Sequence, residues 1–188
     1  TIAQSEGATT VTESGDTDTF TLVLNAQPTS DVVLSVVSSD TGEVTTSSAT
    51  VTFTNANWNT PQTVTVTGVD ENIIDGNQTS TITITVVDAI SDNDFDAVAD
   101  QTVTATTTDD DVAGFTVAET GGSTSVAETG TTDTFTVVLT AQPASNVVLT
   151  VTSSDTGEAT VNSPLTFTNA NWNKAQTVTV TGVDDNLV

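Results

Sequence analysis

The side chains of this chain that could do chemistry are almost all carboxylates. Asp109, Asp110 and Asp111 stand side by side at the end of the run TTTDDDVAG, and Glu13, Asp40, Glu43, Asp70, Glu71 and Asp75 recur upstream in turn-like segments. Against 25 Asp and Glu there is one basic residue, Lys174, and there is no histidine or cysteine, so the formal charge is -24. Two carboxylates about 4 Å apart repel by roughly 1 kcal/mol in water and roughly 4 kcal/mol at an effective dielectric of about 20. Crowded acids therefore need an external cation or wide spacing. An all-oxygen donor set suits Ca²⁺, which takes about six to eight oxygen ligands in flexible geometry. Mg²⁺ keeps its waters, and thiolate or imidazole sites are ruled out by composition. For catalysis only a carboxylate pair of the glycosidase kind remains, and no aromatic cleft accompanies it, so the chain reads as a non-enzyme.

The elements that must position these acids come in two copies. VTESGDTDTFTLVLNAQPTSDVVLSVVSSDTGE, residues 11–43, returns as VAETGTTDTFTVVLTAQPASNVVLTVTSSDTGE at 126–158. After a one-residue deletion, FTNANWN at 53–59 matches 167–173, and QTVTVTGVDEN at 62–72 matches QTVTVTGVDDN at 176–186. A period of about 115 residues is too long for a solenoid repeat and fits one domain per copy. The expected domains are residues 1–111 and residues 112–188, the second lacking the counterpart of 75–111 and hence its last two strands. The start at Thr1 and the cut second copy suggest a piece of a longer protein with more repeats.

Apolar residues make up 35% of the chain and alternate with threonine in short runs, which argues for folded strands rather than disorder. FTLVL (20–24), VVLSVV (32–37), TVTF (50–53), TVTVTGV (63–69), TITITVV (81–87) and TVTAT (102–106), with a first strand over 2–11, predict a seven-stranded antiparallel sandwich. Val37 is Thr152 in the second copy whereas Val36 stays Val151, so Val32, Leu34 and Val36 point inward and Val37 outward. The same alternation assigns Phe20, Leu22, Leu24, Val51, Phe53, Val64, Val66, Ile82, Ile84 and Val86 to the core. Because the chain reverses at each turn, the loops after the first, third and fifth strands and the end of the seventh gather at one pole. Glu13, Asp16 and Asp18, then Asp40 and Glu43, then Asp70, Glu71 and Asp75, and finally Asp109 to Asp111 fall there. The opposite pole carries SDNDFDAVAD (91–100), whose alternating acids match an EF-hand loop poorly, with Ala97 where glycine is needed.

The early VTE, the loop SSDTGE, the block FTNANWNTPQTVTVTGVDEN and the terminal TTTDDDVAG running into FTVAE together resemble Calx-β modules, found in sodium/calcium exchangers and in giant repetitive bacterial surface proteins. The likeness spans the first copy and five strands of the second. It implies Ca²⁺ binding at the same pole, through Glu13, Asp40, Glu43, Asp70, Glu71 and Asp109 to Asp111. In the second copy it implies Glu128, Asp155, Glu158, Asp184 and Asp185.

These readings converge on a calcium-binding structural repeat of an extracellular or cell-surface bacterial adhesin or fibre, in which the ion stiffens the short run from Asp111 into FTVAE. Its partners are adjacent repeats and other copies of itself. Nucleic acid and anionic membranes are poor partners for so acidic a chain, and no run approaches the roughly 18 apolar residues of a membrane helix. Two rival readings remain. The threonine arrays TVTVT and TITIT, with Trp58 and Trp172, offer a glycan- or ice-binding surface, although threonine is also simply a soluble strand former. The incomplete second copy offers a self-assembling fibre subunit completed by a neighbouring chain. An isopeptide crosslink is excluded in the first copy, where Thr60 stands at the position of Lys174, and Asn77 begins a lone glycosylation sequon.

Overall fold

The computed structural model describes residues 1–184. The chain divides into two compact units, Thr1–Glu71 with Asp75–Asp110, and Asn72–Ile74 with Asp111–Val188. Both are all-β. Among the described residues no helix is long and apolar enough to cross a membrane.

The first unit contains β1 (Ile2–Gln4), β2 (Thr9–Thr12), β3 (Thr17–Leu22), β4 (Val32–Ser38), β5 (Val44–Thr46), β6 (Thr50–Phe53), β7 (Gln62–Gly68), β8 (Gln78–Val86) and β9 (Gln101–Thr108). They form one sheet in the order β1-β3-β7-β5 and another in the order β2-β9-β8-β4-β6. Two of the extended runs pass from one sheet to the other. The first breaks at Ser5–Gly7, where Glu6 and Gly7 take φ of 53° and 83°. Upstream, Ile2 pairs antiparallel with Leu22; downstream, Thr9 to Thr12 run parallel to Ala105 to Thr108 in the other sheet. The fourth strand breaks at Ser47–Ala49. There the Ser47 N–H still donates to Thr65 O (2.8 Å), while Ala49 O already accepts from Val36 N–H (2.9 Å). Val44–Thr46 was not expected as a strand, being three residues long with no alternating run of its own.

The predicted inward set lies between the sheets. Phe20, Phe53, Val64, Val66 and Ile82 are fully buried, each stabilising the fold by about 1.5–3 kcal/mol, and Leu24 and Val51 pack partly buried against them. Val36 is 2% exposed and Val37 57%, as the copy comparison requires. Val11, Val44, Val103 and Ala105 complete the core.

The second unit contains β10 (Phe115–Glu119), β11 (Thr132–Leu139), β12 (Val147–Leu149), β13 (Ala159–Val161), β14 (Leu165–Phe167) and β15 (Gln176–Gly182), with sheets β10-β11-β15-β13 and β12-β14. Its loops repeat those of the first. The Asn57 and Asn171 side chains each accept from the backbone N–H of a threonine three residues earlier at 2.6 Å, and the Trp58 and Trp172 carbonyls accept from Leu24 and Leu139 N–H at 3.1 and 3.2 Å. Both rings are half-buried, and Trp172 packs against the core. Its core is smaller, with Val137, Leu139, Leu165, Phe167 and Val178 buried.

Candidate metal centre

The first unit's acidic pole is the open end of its core. Along β2 the inward positions are Thr9 and Val11, and the alternation continues one step past the strand to Glu13. The Glu13 N–H prolongs the parallel ladder by donating to Thr108 O at 3.2 Å, so Glu13 ends beside the tail of β9. On β9 the inward series is Val103, Ala105, Thr107 and then Asp109, which is half-buried, whereas Asp110 is exposed. Asp111, also half-buried, opens the second unit.

Two close backbone contacts fix the loops around Glu13. Gly68 ends β7 directly over β2, where a Cβ would lie 2.0 Å from Thr12 O, so no larger residue fits without displacement. One residue on, Val69 N–H donates to Glu43 O (2.9 Å), tying the third loop to the fifth. Within the third loop the Asp40 carboxylate accepts from Gly42 N–H (2.8 Å) and its carbonyl from Val44 N–H (3.2 Å). In the fifth, Gly76 N–H donates to the Asp109 carboxylate (2.8 Å), and Asn77 Oδ1 accepts from Asp109 N–H (3.3 Å).

Glu13, Glu43 and Asp75 each place one carboxylate oxygen within 4.8 Å of the others. Glu13 has no exposed surface, and neither of its oxygens accepts a hydrogen bond of ordinary length and angle. Burial, then the charges of Asp109, Glu71 and Glu43, push its carboxyl up to about 7, against the opposing pull of the Asp110 backbone amide. Glu43, 9% exposed with one oxygen buried and unpartnered, is also raised, by burial and then by Asp75, Asp40 and Asp109, while the Thr107 hydroxyl opposes the shift. A buried carboxylate without a donor is costly. Two oxygens bound to one Ca²⁺ at about 2.3–2.6 Å lie at most about 5.2 Å apart. Oxygens within 4.8 Å of one another, with no nitrogen or sulfur donor and no basic side chain in the first repeat, thus fit a calcium ion.

The remaining expected ligands divide by position. Asp40 and Glu71 act on the trio through charge, Glu71 from a half-buried position, while Asp70 is exposed. In the second unit the third loop closes as in the first. Asp155 accepts from Gly157 N–H at 2.9 Å, and Glu158 O accepts from Val183 N–H at 2.9 Å. Yet Glu128, Asp155, Glu158 and Asp184 are all exposed, and among the described residues none joins a carboxylate trio. Asp185 lies outside the described residues. The cause is the smaller sheet, since Glu128 follows Val126 as Glu13 follows Val11 but has no β9 beside it.

The sequence reading placed Asp92 in an acidic run but did not anticipate its burial, nor that of Thr107. Asp92, 5% exposed, accepts from Thr29 N–H (2.6 Å), Thr29 Oγ1 (2.8 Å), Ser30 N–H (2.9 Å) and Asp94 N–H (3.1 Å). The Ser30, Asp94 and Thr29 bonds hold its carboxyl down at about 2. Asp92 thus clasps its own loop to the one at Thr29 and Ser30. Thr107 sits in the inward alternation of β9, which is the signal that would have found it.

No family model matches this chain, and no curated protein matches its sequence. Solved structures align with it at low TM-scores. SSP-19, an MSP-domain protein of Caenorhabditis elegans, is 19% identical at a TM-score of 0.38, covering 57% of this chain and 97% of its own. The YadV chaperone is 8% identical at 0.44, covering 100% and 86%. The calcium binding domain CBD12 of CALX1.1 is 15% identical at 0.37, covering 98% of this chain and 76% of its own.

Proposed function

We propose that the first repeat is a calcium-binding β-sandwich module, with Glu13, Glu43, Asp75 and Asp109 as the side chains that hold the ion. The observation that carries this reading is Glu13, fully buried, with neither oxygen in a hydrogen bond of ordinary length and angle and with the charges of Asp109, Glu71 and Glu43 acting on it. A divalent cation turns that cost into a stabilising interaction, about 2.7 kcal/mol at a free concentration near 100 times the dissociation constant.

The module's wider role follows from the duplication. Tandem copies joined by a short acidic run make a spacer, and the charge of -24 suits a chain that stays soluble at a cell surface. Asp110 and Asp111 lie in that run, which reaches Phe115 through Val112, Ala113 and Gly114. An ion anchored on Glu13 and Asp109 would stiffen it, making the chain a calcium-rigidified, non-catalytic segment of an extracellular adhesin or fibre. Titration calorimetry with CaCl₂ and then MgCl₂, together with melting and small-angle scattering in calcium and in chelator, tests both parts. Binding of calcium over magnesium with a higher Tm supports the site, and a longer particle in calcium supports the spacer. No heat and no change in Tm overturn the reading.

A further inference from the structure

Asp75 is followed by Gly76, and the chain has no other Asp-Gly and no Asn-Gly dipeptide. A glycine leaves the backbone nitrogen after an acid unshielded, which lets that nitrogen attack the acid's own carboxyl carbon. The fold leaves the place open as well. Residues 74–77 belong to no strand, since β8 begins at Gln78, and Asp75, Gly76 and Asn77 are exposed. Gly76 takes a φ of 75° and has nothing within 4 Å of where a Cβ would stand. Two side chains hold the Asp75–Gly76 peptide in place of a strand ladder. Gly76 N–H donates to the Asp109 carboxylate (2.8 Å), and Gln78 Nε2 donates to Asp75 O (3.1 Å). A segment tied in this way opens locally at far less cost than global unfolding. The Asp75 carboxylate is also one of the three whose oxygens lie within 4.8 Å of one another, with Glu13 and Glu43.

We propose that Asp75–Gly76 is a modification site at which the metal-free chain forms isoaspartate, and that a calcium ion shared with Glu13 and Glu43 protects it. In the first step the Gly76 nitrogen bonds to Asp75 Cγ, and the amide proton leaves with the hydroxyl of the protonated carboxyl as water. A second water then opens the five-membered imide. Cleavage between nitrogen and Cγ restores aspartate, whereas cleavage between nitrogen and the main-chain carbonyl carbon gives isoaspartate. Gln78 Nε2 sits on that main-chain oxygen and polarises the carbonyl whose opening yields the isoaspartate. The product runs its backbone through Cγ, one carbon longer, and carries its carboxylate directly on Cα. It is thereby withdrawn from Glu13 and Glu43. Held on an ion, the Asp75 carboxylate stays charged and fixed, so it neither sheds water nor turns toward the nitrogen. This protection rests on the calcium reading of the first repeat; the isomerisation itself does not.

The test ages the full chain near neutral pH, in chelator and in calcium at about 100 times the dissociation constant. The readouts are enzymatic methylation of isoaspartyl carboxylates and mapping with a protease that cuts before aspartate but not before isoaspartate. Isoaspartate is expected to accumulate at 75 in chelator, above any at Asp40 and Asp155, the exposed acids of the third loops. In calcium about 1% of the chain is metal-free, so accumulation should fall at least about tenfold. The aged chain should bind calcium at least about tenfold more weakly. Asp75→Glu, whose longer side chain cannot close a five-membered ring, should lose the methylation signal at 75. Equal accumulation with and without calcium supports the modification site and counts against the calcium reading. Calcium uptake by calorimetry, with no isoaspartate at 75 in chelator while the urea-unfolded chain forms it, overturns the site and leaves the calcium reading standing. Isoaspartate spread evenly over the exposed aspartates overturns it too.

Discussion

Replacing Glu13 by glutamine keeps its size and removes its charge from the most crowded point of the acidic pole. The oxygens of Glu13, Glu43 and Asp75 lie within 4.8 Å of one another. Like charges at that separation repel by about 0.9 kcal/mol in water and about 3.5 kcal/mol at an effective dielectric of about 20. In chelator the substitution relieves that repulsion, and the amide can donate to the facing carboxylates. At the lower end of about 4–8 °C per kcal/mol, the melting transition of the first repeat should rise by about 4–14 °C. In calcium the order reverses, because the wild type gains about 2.7 kcal/mol at 100 times the dissociation constant and the variant loses most of that gain. The assay is differential scanning calorimetry at about pH 8, above the Glu13 pKa of about 7, so that the wild-type group is ionised. A variant destabilised by the same amount in chelator and in calcium would refute the reasoning and leave Glu13 a packing residue.

The sign of the pH dependence follows from the same group. Its pKa is raised from 4.5 to about 7 in the folded chain, which therefore binds a proton that the unfolded chain releases. That contribution to metal-free stability is fully present below about pH 4.5 and is lost as pH rises through 7. Glu13→Gln should flatten this limb of the melting profile.

Asp92→Ala removes the acceptor of four hydrogen bonds and should cost at least about 1.5–3 kcal/mol, read as a lower Tm by the same amount with and without calcium. Because its carboxyl is lowered from 3.8 to about 2, the clasp's contribution is present above about pH 4 and fades as pH falls through 2, so the variant should lack this acid limb. Gly68→Ala drives a methyl group against Thr12 O and should cost about 1–3 kcal/mol while weakening calcium uptake, since it shifts the strand end that carries Glu13. Val37→Asp, on the exposed face, should change the unfolding free energy read by urea titration by less than about 0.5 kcal/mol, whereas Val36→Asp should unfold the first repeat.

What the sequence made legible was whatever depends on alternation. The inward faces of β3, β4, β7 and β8 could be read from period two, and the Val37 to Thr152 difference between copies fixed the sense of β4. The sheet changes at Ser5–Gly7 and Ser47–Ala49 were hidden because which sheet a short extended segment joins is decided by the partner across from it. Nothing in TTVT states that Thr12 will lie beside Thr108 in a parallel pair. The acidic triplet shows the same division. Its place at one pole followed from counting reversals, and its internal order, with Asp109 turned in and Asp110 out, was available from the series Val103, Ala105, Thr107.

Burial of the site could not be read from any loop, and the two copies show why. The third loop forms the same carboxylate turn in each, Asp40 to Gly42 and Asp155 to Gly157, and the same tie to the strand that follows, Glu43 to Val69 and Glu158 to Val183. Local sequence therefore specifies the loop. Gly68 and Gly182 even approach the preceding segment alike, with a Cβ meeting Thr12 O at 2.0 Å and Ala127 O at 2.1 Å. Yet Glu13 is buried while Glu128 is exposed. The difference lies in β9, which turns the segment before Glu13 into β2 and covers the carboxylate from the side. A buried acid at this pole is thus a property of the closed sandwich, created when the last two strands pair, and Glu128, which has no such strand beside it among the described residues, stays exposed.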